Sequence, residues 1–207
     1  MHIIWKGQSC FQIVAAPTKG EQVSIVIDPF DQSLGLKPLN LTADILISSD
    51  YGTGKEIKGN PFLISGPGEY EIKDIFIHGF SFLQKKGWNT IYVIEAEGIR
   101  LCHLNNFSNK EITSEQLEKI GDIDILIIPT GGEDTIDSSQ AVKIISQIEP
   151  RIVIPMSYQI PKLKAKLEGV DKFLKAMGQK SAETLDKLLI KKKDLPEGET
   201  KVIVLRS

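Results

Sequence analysis

The chain has 207 residues, 41% of them hydrophobic and 25% charged, with 25 Lys and Arg against 27 Asp and Glu for a net charge of −2. That size and balance describe one globular unit over residues 1–207, without the basic stripe that gives non-specific affinity for nucleic acid. No apolar run nears the ~20 residues of a membrane-spanning helix, and the N-terminus enters an alternating pattern with no signal-peptide core, so the expectation is a cytoplasmic protein with neither nucleic acid nor membrane as partner.

In the first half, apolar or alternating stretches are repeatedly cut by Gly, Pro and Asn, which is the pattern of short strands. Strands are expected at 3–5, 10–14, 23–28, 44–48 and 62–65. After Gly66-Pro67-Gly68 they follow at 71–78, 90–96 and 99–104, with Glu97-Gly98 turning a hairpin between the last two. Cys10 and Cys102 fall inside strands, which suits reduced core thiols better than a disulfide or a cysteine-based zinc site.

The period changes in the second half. Thr113 and Gln116 form a capping box, Leu117 and Ile120 face inward, and Gly121 ends a short helix. Residues 123–129 read as a buried strand. Asp137, with Gln140 at the third position, caps a helix that carries Ala141, Ile144, Ile145 and Ile148 on one face and stops at Pro150. Residues 151–155 make another buried strand, and Val170, Phe173, Leu174 and Met177 mark a third helix before Gly178. Strands at 187–192 and 201–205 close the pattern, with Lys191-Lys192-Lys193 read as a solvated strand edge.

Seven segments carry a further signal: Trp5-Lys6-Gly7-Gln8-Ser9-Cys10-Phe11, Ile27-Asp28-Pro29-Phe30, Ala43-Asp44-Ile45-Leu46, Gly66-Pro67-Gly68-Glu69-Tyr70-Glu71, Arg100-Leu101-Cys102-His103-Leu104, Ile127-Ile128-Pro129-Thr130-Gly131-Gly132 and Ile152-Val153-Ile154-Pro155-Met156. Together and in this order the chain resembles the metallo-β-lactamase superfamily, in its small branch of Zn-dependent hydrolases. The resemblance implies an α/β (α+β) four-layer αββα sandwich with an active site along one sheet edge. In that family a His-x-His-x-Asp-His loop follows the Ala-Asp strand, an Asp follows the Cys-His-Leu strand, and a His follows the Pro-Met pair. These ligands hold one or two Zn²⁺, which lower the pKa of a bound water to about 7.

Here the resemblance puts changed residues at those positions. The loop from Ser48 to Glu56 contains no histidine and is shorter than the family's; its first ligand position is Ser49 or Asp50, and its last falls on Lys55 or in the gap. Asn106 stands in place of the family's Asp and Ser157 in place of its late His, while Gln8 replaces the His of a Gly-His-Ser segment. The expectation is therefore no catalytic residue, no metal ligand and no cofactor, with vestigial site positions at Gln8, Ser49, Asp50, Lys55, Asn106 and Ser157.

Other chemistry is sparse. His2, His78 and His103 lie in strands, and Asp50 with an amide and a hydroxyl falls short of the convergent ligands zinc needs. Ser9, Ser48, Ser49 and Ser157 have no His-plus-acid partner that sequence can place beside them. Cys102 and His103 point to opposite faces of one strand. Gly131-Gly132 precedes a helix, but Glu133, Asp134 and Asp137 oppose an anion there. The leading functional expectation is a metal-free pseudoenzyme retained for binding a partner or small molecule. The alternative is a residual metal-dependent hydrolase of esters, lactones or phosphodiesters with an unorthodox site. A third reading is a subunit of a homo-oligomer, or one pairing with an intact relative through Trp88 or the segment with Phe80 and Phe82.

Overall fold

The computed structural model describes residues 1–17, 21–48, 57–85 and 87–207. Its strands are β1 His2–Gly7, β2 Cys10–Ala15, β3 Val23–Ile27, β4 Ile45–Ile47, β5 Phe62–Ile64, β6 Gly68–Ile72, β7 Ile75–Gln84, β8 Gly87–Ala96, β9 Ile99–His103, β10 Ile125–Pro129, β11 Ile152–Met156, β12 Glu183–Leu185, β13 Leu188–Leu189 and β14 Lys201–Leu205. The helices are α1 Ser114–Ile120, α2 Ser138–Ile148 and α3 Val170–Ala176. Six strands form one sheet in the order β13-β1-β2-β3-β4-β5, and eight form the other in the order β12-β14-β11-β10-β9-β8-β7-β6.

Burial explains the pattern of each sheet. β10 and β11 pair in parallel and are buried at every position, as strands covered on both faces are. β1 alternates half-buried and buried residues, as a strand with one core face does. Between the sheets lie Trp5, Phe11, Ile27 and Ile45 from one side and Tyr92, Ile127 and Ile154 from the other, all essentially inaccessible. α2 rests on β10 and α3 on α2. The outer face of the six-stranded sheet packs Cys10, Val26 and Leu46 under Leu41, Ala43 and Ile57. Both cysteines are free and buried, and burial pushes both thiols well above their ordinary pKa.

Two expectations need correction. The strand read at 71–78 is two strands, with Lys73 and Asp74 at φ 52° and 59° making a two-residue turn that pairs Ile72 with Ile75. The stretch 187–192 holds only the short β13; Lys192 starts a 3₁₀ turn, and its ammonium lies 2.9 Å from both carboxylate oxygens of Asp124. It is an ion-pair partner, and the lysine run is exposed as expected but lies on a turn where a strand edge was expected. Among the described residues no helix is long and apolar enough to cross a membrane.

Candidate functional site

Four strands end at the same edge of the sandwich, and each hands on to a residue with left-handed backbone. Gln8 follows β1 at φ 50°, Asp28 follows β3 at φ 43°, and Ser157 follows β11 at φ 50°. After β9, Leu104 still pairs with the neighbouring strand, and the reversal falls on Asn105 at φ 50°. Non-glycine residues pay for this conformation, and Asn and Asp tolerate it best. The reversals turn the chain sharply outward, so that Gln8, Ser9, Asp28, Asn106 and Ser157 line one cavity of about 390 Å³. That volume suits a small organic ligand.

Main-chain contacts hold the rim. The Trp5 indole donates to the Gln8 carbonyl at 2.7 Å. Asp28 donates its amide to Ile47 O at 2.9 Å. Gly131 packs so closely under Ser157 that a Cβ there would stand 2.1 Å from the Ser157 carbonyl oxygen. A strap after β11 is closed by Gln159 N donating to Glu168 O at 2.9 Å and by the Gln159 side chain accepting from Leu167 N at 2.9 Å. Its Ala165 and Leu167 give the cavity an apolar wall, and Glu133 and Asp134 add acidic groups at the mouth. Asp31, also on the rim, is held below the ordinary carboxylate pKa by the Ser33 hydroxyl and amide.

His103 is fully buried behind this edge. Its Nε2 lies 3.0 Å from the Ser9 carbonyl, an acceptor, so Nε2 carries the proton; Nδ1 accepts from Asn105 N at 3.1 Å. Burial pushes its pKa down to about 4, which keeps the ring neutral at physiological pH. With both nitrogens engaged, it ties β9 to the β1–β2 turn and has no lone pair left for a metal or a reacting group.

Of the positions expected from sequence, Gln8, Asn106 and Ser157 come together on the cavity. Ser49, Asp50 and Lys55 lie outside the described residues. Sequence reading overlooked Asp28, whose signal was an acid standing before Pro29 where an apolar strand ends. Among the described residues no group of three His, Cys, Asp or Glu side chains is placed to hold a metal ion. The oxygen donors on the cavity thus do not by themselves fit a tetrahedral zinc site; the Asp28 carboxylate, the Asn106 amide and the Ser157 hydroxyl match the ligand types of a harder divalent cation, which keeps several waters.

Two facing mixed sheets with polar strand-end loops gathered along one edge define a hydrolase fold of metallo-β-lactamase type. The profile of the Beta-lactamase superfamily domain matches residues 2–157. A Thermotoga maritima protein, described as a Zn-dependent hydrolase of the metallo-β-lactamase superfamily, is 34% identical, with 99% of this chain and 97% of that one covered at a TM-score of 0.82. This chain belongs to the metallo-β-lactamase superfamily. A "UPF0173 metal-dependent hydrolase" of Thermococcus onnurineus is 27% identical over 84% of this chain and 91% of its own length. A "UPF0173 protein" of Pyrococcus abyssi is 28% identical over 76% of this chain and 83% of its own. These names overturn the expectation that no cofactor belongs to the chain: its relatives are named for dependence on a metal, zinc in the Thermotoga protein.

Proposed function

We propose that the chain is a metal-dependent hydrolase acting on an ester, lactone or phosphodiester at the strand-end cavity, with oxygen donors where its family uses histidines. The observation that carries this reading is the convergence of Gln8, Asp28, Asn106 and Ser157 from four different strands onto one cavity, together with relatives named as metal-dependent hydrolases. Asp28, Asn106 and Ser157 are the residues to hold a cation there, and a bound cation supplies polarisation of the scissile bond and an activated water. In this reading the Gln8 amide orients a substrate oxygen beside the apolar wall of Ala165 and Leu167. His103 is neutral and fully bonded, so it positions the Ser9 turn and leaves acid–base work to others. Water adds across the cleaved bond: an ester gives a carboxylic acid and an alcohol, with the acid's proton released to solvent.

Calorimetric titration with Zn²⁺, Mn²⁺ and Mg²⁺, paired with hydrolysis of p-nitrophenyl acetate and bis(p-nitrophenyl) phosphate, tests the proposal. The expected result is saturable uptake of one of these metals, weakened at least tenfold by Asp28→Asn, and turnover lost in EDTA and restored by that metal. Asp50→Ala reports separately on the segment outside the described residues. A second reading, a domain that binds a partner or small molecule without turnover, draws on the bonded state of His103 and on the donor set of the described residues. Ligand binding with no hydrolysis under any of the metals selects that reading.

A further inference from the structure

The β7–β8 hairpin outruns the sheet to which it belongs. Tyr92 of β8 lies opposite His103, the last residue of β9, and from that level β8 extends back through Asn89 and Trp88 to Gly87. At about 3.4 Å per residue, Trp88 stands roughly 13 Å beyond His103, on the side toward which β9 and β11 deliver Asn106 and Ser157. Strand alternation puts Trp88 and its cross-strand partner Leu83 on the same face as Tyr92 and His103. That face looks toward the six-stranded sheet, because His103 bonds Ser9 and meets the Phe11 ring edge-on at 5.6 Å. On a face that is otherwise core, Leu83 is 66% and Trp88 73% exposed.

The hairpin is also fixed to the loop that carries Asn106. Gln84 donates from Nε2 to Asn106 O at 2.8 Å and accepts from Ser108 N at 3.0 Å. Asn89 Nδ2 donates to Leu104 O at 3.1 Å, and Asn105 Nδ2 donates to Thr90 O at 2.6 Å. These side-chain bonds to main chain, two of them buried, set the apolar pair at a constant offset from the cavity.

We propose that Leu83 and Trp88 form an apolar lip that binds the acyl arm of the substrate, which makes that substrate an ester or lactone with an aromatic or branched acyl group. This rests on reading the cavity as the hydrolytic site. A small arm is the occupant that the lip fits. A second copy of the chain needs roughly 800 Å² from each partner, and two side chains fall well short of that. The other large apolar side chains exposed among the described residues are elsewhere: Phe62 and Leu63 on β5, Leu189 on β13, and Phe76 on the opposite face of the hairpin. A tryptophan face also provides a flat apolar platform with little rotamer freedom to lose.

The test titrates 4-phenylbutyrate and acetate into the protein, read by calorimetry and by tryptophan fluorescence, and compares p-nitrophenyl phenylbutyrate with p-nitrophenyl acetate as substrates. Phenylbutyrate is expected to bind at least tenfold tighter than acetate. Trp88→Ala should remove roughly tenfold of that affinity and Leu83→Ala about threefold, with acetate unaffected in both. Both side chains are exposed, so neither variant removes core packing. Equal phenylbutyrate affinity in wild type and Trp88→Ala overturns the lip. So does a Trp88→Ala variant that turns a dimer into a monomer on gel filtration with phenylbutyrate binding intact. Phenylbutyrate binding that depends on Trp88 in a protein with no esterase activity keeps the lip and removes the hydrolytic reading, whereas hydrolysis with no acyl preference does the reverse.

Discussion

The two ends of the sandwich are built on different rules. At the end away from the cavity, carboxylates are matched to cations. Asp124, 5% exposed, accepts the Arg100 amide at 2.9 Å, takes the Lys192 ammonium on both oxygens, and has the Arg151 guanidinium 3.6 Å away. Asp44 accepts Ser24 N at 2.9 Å and the Lys73 ammonium at 2.7 Å, and these bonds hold its pKa below the ordinary value. Two left-handed pairs at that end, Lys73-Asp74 and Glu97-Gly98, each close a two-residue hairpin. At the cavity end, Gln8, Asp28, Asn105 and Ser157 take the same conformation where strands hand on to loops, and oxygen donors are gathered around open space. One end is organised for cohesion, and the other leaves an open cavity whose rim carries backbone strain.

The sharpest way to break this contrast is at Gly131. In Gly131→Ala the new methyl meets the Ser157 carbonyl oxygen at 2.1 Å and Tyr158 Cα at 3.0 Å, so main chain must move. We expect a loss of about 3 kcal/mol by urea unfolding, with cavity binding lost as well. At the opposite end, Asp124→Ala should cost about 2 kcal/mol by the same measurement, since it strips the Arg100 amide and Lys192 of their acceptor, and it should leave cavity binding unchanged. An effect of Asp124→Ala on binding would show that the two ends are coupled.

His103 gives a pH handle on the cavity end. Its folded pKa is about 4 against an ordinary 6.5, so between those values the unfolded chain takes up a proton that the folded one refuses. Stability is therefore expected to fall as pH drops from 6.5 toward 4, with a slope from this group approaching ~1.4 kcal/mol per pH unit. His103→Gln should flatten that part of the profile, measured as the urea midpoint against pH. The smallest effect is expected for Ser157→Gly, where relief of the φ 50° conformation offsets the lost hydroxyl. Its stability should stay within about 1 kcal/mol of wild type while metal or ligand affinity falls, which separates site function from fold.

Much of this architecture could be read from the chain because local signals agree with the final packing. The Thr113–Gln116 and Asp137–Gln140 capping boxes both form, each with its reciprocal pair of bonds. The apolar runs at 123–129 and 151–155 became β10 and β11 because strands covered on both faces show no alternation to misread. The Glu97-Gly98 turn was legible through its glycine; Lys73-Asp74 was not, since it has no glycine and Lys73 gives no sign of the left-handed backbone that it adopts. At the site, the changed positions Gln8, Asn106 and Ser157 were found through the family's motif order. Asp28 stood only at the end of an expected strand, within the family-like segment Ile27-Asp28-Pro29-Phe30, and three-dimensional convergence is what brings it to the cavity. The outward reach of Trp88 was likewise hidden, because strand extent beyond a neighbour is set by register, which no local pattern encodes.

The pairing of β1 with β13 sets a timetable for biosynthesis. His2 sits opposite Leu189, so β1 waits for a strand made 187 residues later. At the usual 5–20 residues per second, that edge of β1 stays bare for roughly 10 to 40 s on the ribosome. During this interval the main chain of His2 and Ile3 is a template for any passing strand, and a chaperone that shields it would raise soluble yield more than one acting after release.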